Sequence, residues 1–84
     1  MGTDSYVNTD YGVAIGVGTY SANAYEVALG AFNVNDTSGD IIFSIGNGTA
    51  STSRSNALEL HKNGDLYVTG DVYVGSTNLQ SILL

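Results

Sequence analysis

The sequence predicts an all-β solenoid, a fold in which short coils stack on one another, and three observations indicate it. A 14-residue repeat relates Gly16 to Gly30, and a third copy ends at Gly46 after a slightly longer interval. Within each copy, larger apolar residues alternate with small ones, which is the period of a β-strand. Asn, Ser, Thr and Gly fill the segments between the copies, as turns require. We therefore expect one strand of each copy to stack on the equivalent strand of the next.

Three equivalent strands are predicted, one in each copy. They cover residues 11–16 (YGVAIG), 25–30 (YEVALG) and 41–46 (IIFSIG). By alternation their larger apolar side chains share one face, and these predicted structural residues are Val13, Ile15, Val27, Leu29, Phe43 and Ile45. The other face carries small residues, namely Ala14, Ala28 and Ser44, whose size implies the close approach of another layer or chain. The glycine after each strand is expected at a tight corner, where φ is positive.

The C-terminal part predicts shorter strands. Leu58 and Leu60 alternate with polar residues, as in a strand, and the Asn-Gly dipeptide at 63–64 is typical of a hairpin turn. A six-residue repeat follows, in which residues 64–69 (GDLYVT) match residues 70–75 (GDVYVG) at the Gly, Asp, Tyr and Val positions. Strand propensity is high in both copies.

The last residues predict a helix. Leu79, Ile82 and Leu83 have the i, i+3, i+4 spacing of a helix face after a Ser/Thr/Asn cap, which indicates the start of a coiled coil. The predicted organisation has three parts: stacked coils in 1–50, a junction loop and strand in 51–63, and a stem leading to a short helix in 64–84.

Composition excludes several classes of function. The chain has 84 residues, of which 12% are charged, about half the usual roughly 25%. Its net charge of −6 argues against nucleic acid and anionic membranes, which both need clustered Lys and Arg. The absence of Cys excludes disulfides, thiolate metal sites and cysteine nucleophiles.

The short length also indicates an assembly. Such a short chain buries only about 60–65% of its unfolded surface, so oligomerisation is the expected source of further stability. Residues 2–6 echo residues 16–20, which predicts that the chain begins inside a repeat of a longer protein.

No catalytic or cofactor site is predicted. His61 is the only His and has no Cys or adjacent carboxylate pair beside it in sequence, so we expect a strand residue facing solvent or an interface. No Gly-x-Ser-x-Gly or phosphate-loop pattern occurs. A hexapeptide-type acyltransferase is the rival enzyme class, but the hexad occurs only twice and His61 lies outside it. We therefore expect no enzymatic activity and no cofactor.

Four aspartates raise the question of calcium. They are Asp36, Asp40, Asp65 and Asp71. Their spacing matches neither an EF-hand loop nor the glycine-rich nonapeptide roll, so they are expected to accept hydrogen bonds within their own turns. If copies of the chain assemble symmetrically, a cation bound by a ring of Asp65 or Asp71 side chains stays an open alternative.

The tyrosines are the candidate binding residues. The 14-residue period relates Tyr6 to Tyr20 and Tyr11 to Tyr25. Exposed rings in a ladder stack on sugars or contact a receptor, whereas the alternative is packing with the hydroxyl at the rim.

Arg54 is the only arginine and lies between two serines at the predicted junction. We expect its five donors to tie this junction to a carboxylate or to carbonyls of its own or a neighbouring chain. A solvated loop residue is the alternative.

Two family resemblances follow from these motifs. The Val-Ala-Ile-Gly and Val-Ala-Leu-Gly copies within residues 2–48 resemble the head repeats of trimeric autotransporter adhesins, although Ser44 replaces the Ala in the third copy. This resemblance implies a left-handed parallel β-roll in which three chains pack about one axis. Residues 43–84 are similar to the stem upstream of the chaperone domain in bacteriophage tail fibres and tailspikes. That similarity implies an intertwined β-prism-like stem.

Together the resemblances imply a homotrimeric, extracellular fibre segment of a virion tail fibre or a bacterial cell surface. The expected function is structural and adhesive: the segment presents or connects parts that bind a host or surface. The alternative is a module that binds a cell-surface glycan or protein receptor directly through the exposed tyrosines.

Overall fold

The computed structural model describes residues 2–79, and it is all-β, with a β-solenoid of about three turns. The strands are β1 (Gly2–Thr3), β2 (Tyr6–Val7), β3 (Val13–Val17), β4 (Tyr20–Ser21), β5 (Val27–Ala31), β6 (Ile41–Asn47), β7 (Asn56–His61), β8 (Leu66–Val68), β9 (Tyr73–Val74) and β10 (Thr77–Asn78). The predicted strands of the three sequence copies are confirmed as β3, β5 and β6.

The repeat offsets fix how the coils stack. Strands β1, β3, β5 and β6 pair in parallel, and Gly16 is in register with Gly30, which is in register with Gly46. A second, two-stranded parallel sheet joins β2 to β4, with Tyr6 opposite Tyr20. The chain therefore passes from one sheet to the other within each coil, and the lengthened third interval forms the loop before β6.

The C-terminal strands continue the larger sheet in a different direction. Strand β7 pairs antiparallel with β6, and β8 pairs antiparallel with β7. The Asn-Gly turn predicted at 63–64 lies between β7 and β8, so the hairpin prediction is confirmed. Thr77 and Asn78, which belong to the cap predicted before the helix, pair with β9 as a short strand. The rest of that prediction, residues 80–84, lies outside the described residues.

Each coil turns at two corners, seven positions apart, and the residue at each corner has a left-handed backbone conformation. Six residues at this spacing have φ between 45° and 89°, and they are Asp4, Tyr11, Gly18, Tyr25, Phe32 and Gly39. Only two of the six are glycine, although a side chain in this region costs about 1–2 kcal/mol. The corner conformation is therefore kept through four non-glycine residues.

The repeated glycines have a different role from the one predicted. Gly16 (φ 132°) and Gly30 (φ 96°) have the predicted positive φ, but they lie inside β3 and β5, so their predicted place at a tight corner is wrong. A Cβ on Gly16 would overlap the carbonyl oxygen of Gly30, and one on Gly30 would overlap that of Gly46. Stacked backbones approach too closely there for any side chain.

The interior of the solenoid is mainly polar. Its buried apolar residues are Ala14, Ala22, Ala28 and Ile41. The buried polar residues are Thr19, Ser21, Asn23, Glu26, Asn33, Ser44 and Asn56. The small face predicted for the repeat strands thus lines the space between the two sheets of one chain, and the larger apolar side chains point outward.

Candidate functional site

The outward side chains of the large sheet form two continuous apolar rows. In the first row, successive partners across the strands are Val13, Val27, Phe43, Leu60 and Leu66. In the second row they are Ile15, Leu29, Ile45, Leu58 and Val68. We call these ten residues the apolar face. Because strands lie about 4.8 Å apart, the face is roughly 20 Å wide.

The apolar face is incompletely covered within the chain. Val13 and Ile15 are 40% and 41% exposed, and Leu66 at the other edge is 60% exposed. The seven other members are half-buried. Neither row contains a charged residue. The chain therefore leaves a contiguous, uncharged apolar patch partly exposed.

Glu26 is held in the interior by hydrogen bonds. It is 1% exposed, and its Oε1 accepts from the backbone N–H groups of Ala22 (3.0 Å) and Asn23 (3.1 Å) and from the Asn23 amide (3.2 Å). Its Oε2 accepts from the Ser44 hydroxyl at 2.9 Å. Burial raises the pKa of Glu26 above its ordinary value, although the hydrogen bonds from Asn23, Ser44 and Ala22 oppose that shift.

Glu26 gives the fold a measurable pH dependence. Because its folded pKa is raised, its contribution to stability is complete below the unfolded pKa of about 4.3 and is lost as pH rises through the folded pKa. We expect the Tm of Glu26→Gln to rise relative to that of the unmodified chain as the pH is raised from about 4 to about 7. Thermal unfolding followed by circular dichroism measures the difference. Asp10→Asn, an exposed carboxylate, is the control, and a Glu26→Gln difference that stays constant with pH would contradict the expectation.

Asparagine side chains complete the third coil. The Asn33 amide accepts from the backbone N–H of Tyr20 (2.7 Å) and donates to its carbonyl (2.9 Å), which is the pairing a strand would supply. Asn56 accepts from the backbone N–H of Val34 at 2.9 Å. Within the described residues, every buried side-chain nitrogen and oxygen has a partner. The polar interior is therefore a satisfied network.

The four candidate tyrosines form two stacked pairs. The rings of Tyr6 and Tyr20 lie 5.0 Å apart at 22°, and those of Tyr11 and Tyr25 lie 5.3 Å apart at 4°. Tyr11 and Tyr25 are 77% and 60% exposed, Tyr6 is also exposed, and Tyr20 is half-buried. The repeat thus brings together the residues that the sequence relates by its 14-residue period.

Arg54 extends the first tyrosine pair and ties the loop after β6 to the coils. Its Nη1 donates to the carbonyls of Gly18 (2.7 Å) and Asn33 (3.2 Å). Its guanidinium lies 4.7 Å from the ring centroid of Tyr20 and 5.7 Å from that of Phe32. These contacts join Arg54 to two coils of its own chain.

Removing this cation should weaken the fold. Arg54→Ala loses two charge-assisted hydrogen bonds and the ring contacts, so we expect Tm to fall by at least a few degrees. The matched control is Lys62→Ala, which removes the other cation, an exposed one. Differential scanning calorimetry provides the comparison. An Arg54→Ala melting curve equal to that of the unmodified chain would refute the assigned role.

A groove of about 440 Å³ adjoins Arg54, and we call it the aromatic groove. Its lining residues are Asp4, Tyr6, Gly18, Tyr20, Phe32, Thr49, Ala50, Ser51 and Arg54. Asp4 and Phe32, which the sequence analysis did not single out, enter it because they occupy the same left-handed corner as Gly18 in neighbouring coils. The groove therefore joins ring faces, a guanidinium, a carboxylate and hydroxyl groups.

A second groove of about 430 Å³ contains the only histidine. Its lining residues are Asp40, His61, Lys62, Asn63 and Tyr67. The Nε2 of His61 lies 3.0 Å from a carboxylate oxygen of Glu59, and its ring lies edge-on to Tyr67 at 4.7 Å. The histidine is thus held by one carboxylate and one ring.

Two of the four aspartates considered for calcium, Asp36 and Asp65, accept hydrogen bonds within their own turns. The backbone N–H of Ser38 donates to Asp36 at 2.7 Å, and with the Ser38 hydroxyl it holds the pKa of Asp36 below its ordinary value. Asp65 exchanges hydrogen bonds with Asn63. Within residues 2–79, no group of three or more His, Asp or Glu side chains is arranged to hold a metal ion.

Comparisons with protein-family models, with curated proteins and with solved structures found no match to this chain. Nor does the described part of the chain contain a helix long and apolar enough to cross a membrane.

Proposed function

We propose that this chain is a structural segment of a homotrimeric fibre, in which three copies bury their apolar faces against one another. The observation behind the proposal is an inverted distribution of side chains. Seven polar residues but only four apolar ones are buried in the described chain. Ten larger apolar residues instead form one outward face.

The free energy gained by burying this face supports other copies of the chain as the partners that cover it. Fully burying a Val, Leu, Ile or Phe side chain contributes about 1.5–3 kcal/mol. The members of the apolar face are already partly covered, so completing the burial of all ten contributes on the order of 10 kcal/mol per chain. That gain is comparable with the whole stability of a typical domain. The number three comes from the resemblance to trimeric adhesin head repeats.

The proposed role is mechanical. A stack of coils that shares one core is stiff along its axis, and it presents or connects host- or surface-binding parts in three copies. Three identical tips multiply weak binding. The resemblance to phage tail-fibre stems and adhesin heads supports an extracellular location on a virion or a bacterial surface. The proposal assigns no catalytic step to the chain.

The mass in solution tests this proposal. Light scattering coupled to size exclusion should give the mass of three chains, each of 8.7 kDa. A mass of one chain at micromolar concentration would overturn the shared apolar core. A stable dimer would overturn the threefold arrangement.

Direct binding of a glycan or protein receptor is the second candidate function. The specific observation in its favour is the exposure of stacked aromatic rings, above all Tyr11 and Tyr25. Aromatic rings stacked on a rigid repeat offer a flat amphipathic surface with little loss of side-chain entropy on binding. A glycan array probed with the intact oligomer tests it, and the absence of any saturable signal there and on cells would overturn it.

A further inference from the structure

We infer that the aromatic groove is a binding site for a neutral pyranose sugar. The inference rests on the second candidate function and locates it at one place in the fold. Direct recognition of such a sugar needs an aromatic surface for the C–H face of the ring and a few fixed polar groups for its hydroxyls. The groove supplies both kinds of group within about 440 Å³, which lies in the range of small-molecule sites.

Arg54 is fixed in place before any ligand arrives. Both hydrogen bonds of its guanidinium to the described residues use Nη1, and its Cζ lies over the rings of Tyr20 and Phe32. The Nη2 and Nε donors make no hydrogen bond to the described residues and belong to a side chain that lines the groove. A guanidinium whose geometry is already set loses little entropy when those donors bind hydroxyl oxygens.

Asp4 supplies the complementary acceptor. Its side chain is exposed and lines the groove, and its backbone is left-handed at φ 55°. A carboxylate accepts hydrogen bonds from sugar hydroxyls while a guanidinium donates to them, so the pair suits groups that both donate and accept. Thr49 and Ser51 add two exposed hydroxyls.

Ring faces and corner strain occur together at this groove. Tyr6 is exposed and stacks on Tyr20, so the pair forms an aromatic wall. Phe32 occupies a left-handed corner at φ 45°, equivalent to Gly18 one coil earlier. Glycine would adopt this backbone conformation without strain. The equivalent corners of the coils before and after Gly18 nevertheless carry Asp4 and Phe32. Two of the four non-glycine corner residues thus place their side chains at this groove.

Charge selects a neutral sugar over an acidic one. Arg54 shares the groove with the Asp4 carboxylate, and the chain as a whole carries a net charge of −6. A carboxylated sugar would be repelled by both of these negative contributions. The groove shares no residue with the apolar face, so sugar binding and assembly of three chains are compatible.

The test measures sugar binding by the assembled protein and its groove variants. The probes are methyl glucoside, methyl galactoside, methyl mannoside and lactose. Their binding is measured by saturation-transfer NMR and by amide chemical-shift titration. Asp4→Asn keeps a residue that tolerates the left-handed corner, and Tyr6→Ala removes one exposed ring. We expect each to weaken binding of the preferred sugar by at least about fivefold, a loss of roughly 1 kcal/mol. Shifted amides should include those of Gly18 and Arg54.

Matched controls separate this site from the other tyrosine pair. Asp10→Asn removes an exposed carboxylate and Tyr11→Ala an exposed ring, both outside the groove, and both should leave the affinity unchanged. Loss of binding in Tyr11→Ala but not in Tyr6→Ala would overturn the groove and leave the second candidate function standing. No binding by any probe, or a preference for sialyllactose over lactose, would overturn the inference. The mass of every variant is measured as well, so that a failure of assembly is not mistaken for a loss of sugar contacts.

Discussion

Leu29→Asp is expected to abolish assembly, and the mass in solution should fall from that of three chains to the 8.7 kDa of one, folded or unfolded. Leu29 lies in the second row of the apolar face, in register between Ile15 and Ile45. In the proposed trimer, an aspartate there would place three carboxylates in an apolar interface without cations. An uncompensated buried charge of this kind costs at least several kcal/mol.

The control for this experiment is an equivalent substitution outside the apolar face. Val7→Asp introduces the same side chain on β2, where Val7 is 48% exposed. It should keep the oligomeric mass, because β2 belongs to the other sheet. Sedimentation velocity on both variants gives the comparison. A Leu29→Asp protein that keeps the mass of three chains would show that the apolar face is not the interface.

The strands and their stacking follow from the sequence because backbone pairing preserves the repeat. The sequence offsets between Gly16, Gly30 and Gly46 are also the offsets of the parallel register, including the lengthened third interval. Alternation also separates the small inner residues from the large outer ones, since successive side chains of a strand point to opposite faces. These features depend on local periodicity alone.

The corners were not predictable in the same way. Their seven-residue period is conformational, and little chemistry unites the residues concerned, which are Asp4, Tyr11, Gly18, Tyr25, Phe32 and Gly39. A search for repeated residue types therefore finds nothing at this spacing. The one shared feature lies at the next position, where three successive corners are each followed by a buried polar residue, namely Thr19, Glu26 and Asn33.

The polar interior was missed because Glu26 looks like an ordinary solvent-facing residue. Its place in the motif YEVALG is taken by Gly12 in the preceding copy, so the repeat gives no warning that this position is enclosed. Enclosure results from the turn at Ala22 and Asn23, whose backbone N–H groups point at the carboxylate. Interactions of this kind depend on tertiary geometry.

The aromatic groove illustrates a third limit. The 14-residue period predicts the tyrosine pair at 6 and 20, and the rarity of arginine in the chain singles out Arg54. Neither feature predicts that Arg54 lies beside the tyrosine pair. Arg54 reaches Gly18 across 36 positions of the chain, and nothing in the sequence gives the direction of the loop after β6. The repeat period therefore predicts the stacked tyrosines but not the position of Arg54 beside them.

Gly16→Ala is expected to prevent folding or to lower stability by more than about 4 kcal/mol, a range seen for few single substitutions. Two costs coincide at this position. The backbone has φ 132°, a conformation that L side chains rarely adopt, and the added Cβ would overlap the carbonyl oxygen of Gly30. Neither strand can move away freely, because β3 and β5 are joined along their whole length by a parallel register.

Substitutions at two further glycines separate the cost of the positive φ from the cost of the Cβ overlap. Gly64 has φ 98° and Gly70 has no positive φ, and a Cβ on either meets no atom within 4 Å. Gly70→Ala should therefore be close to neutral, and Gly64→Ala should lose about 1–2 kcal/mol from its left-handed backbone alone. Urea unfolding of the three variants should rank Gly16→Ala far below the others. If Gly16→Ala were no less stable than Gly64→Ala, the close approach of the stacked coils would be wrong, because both sites have a positive φ and only Gly16 has the overlap.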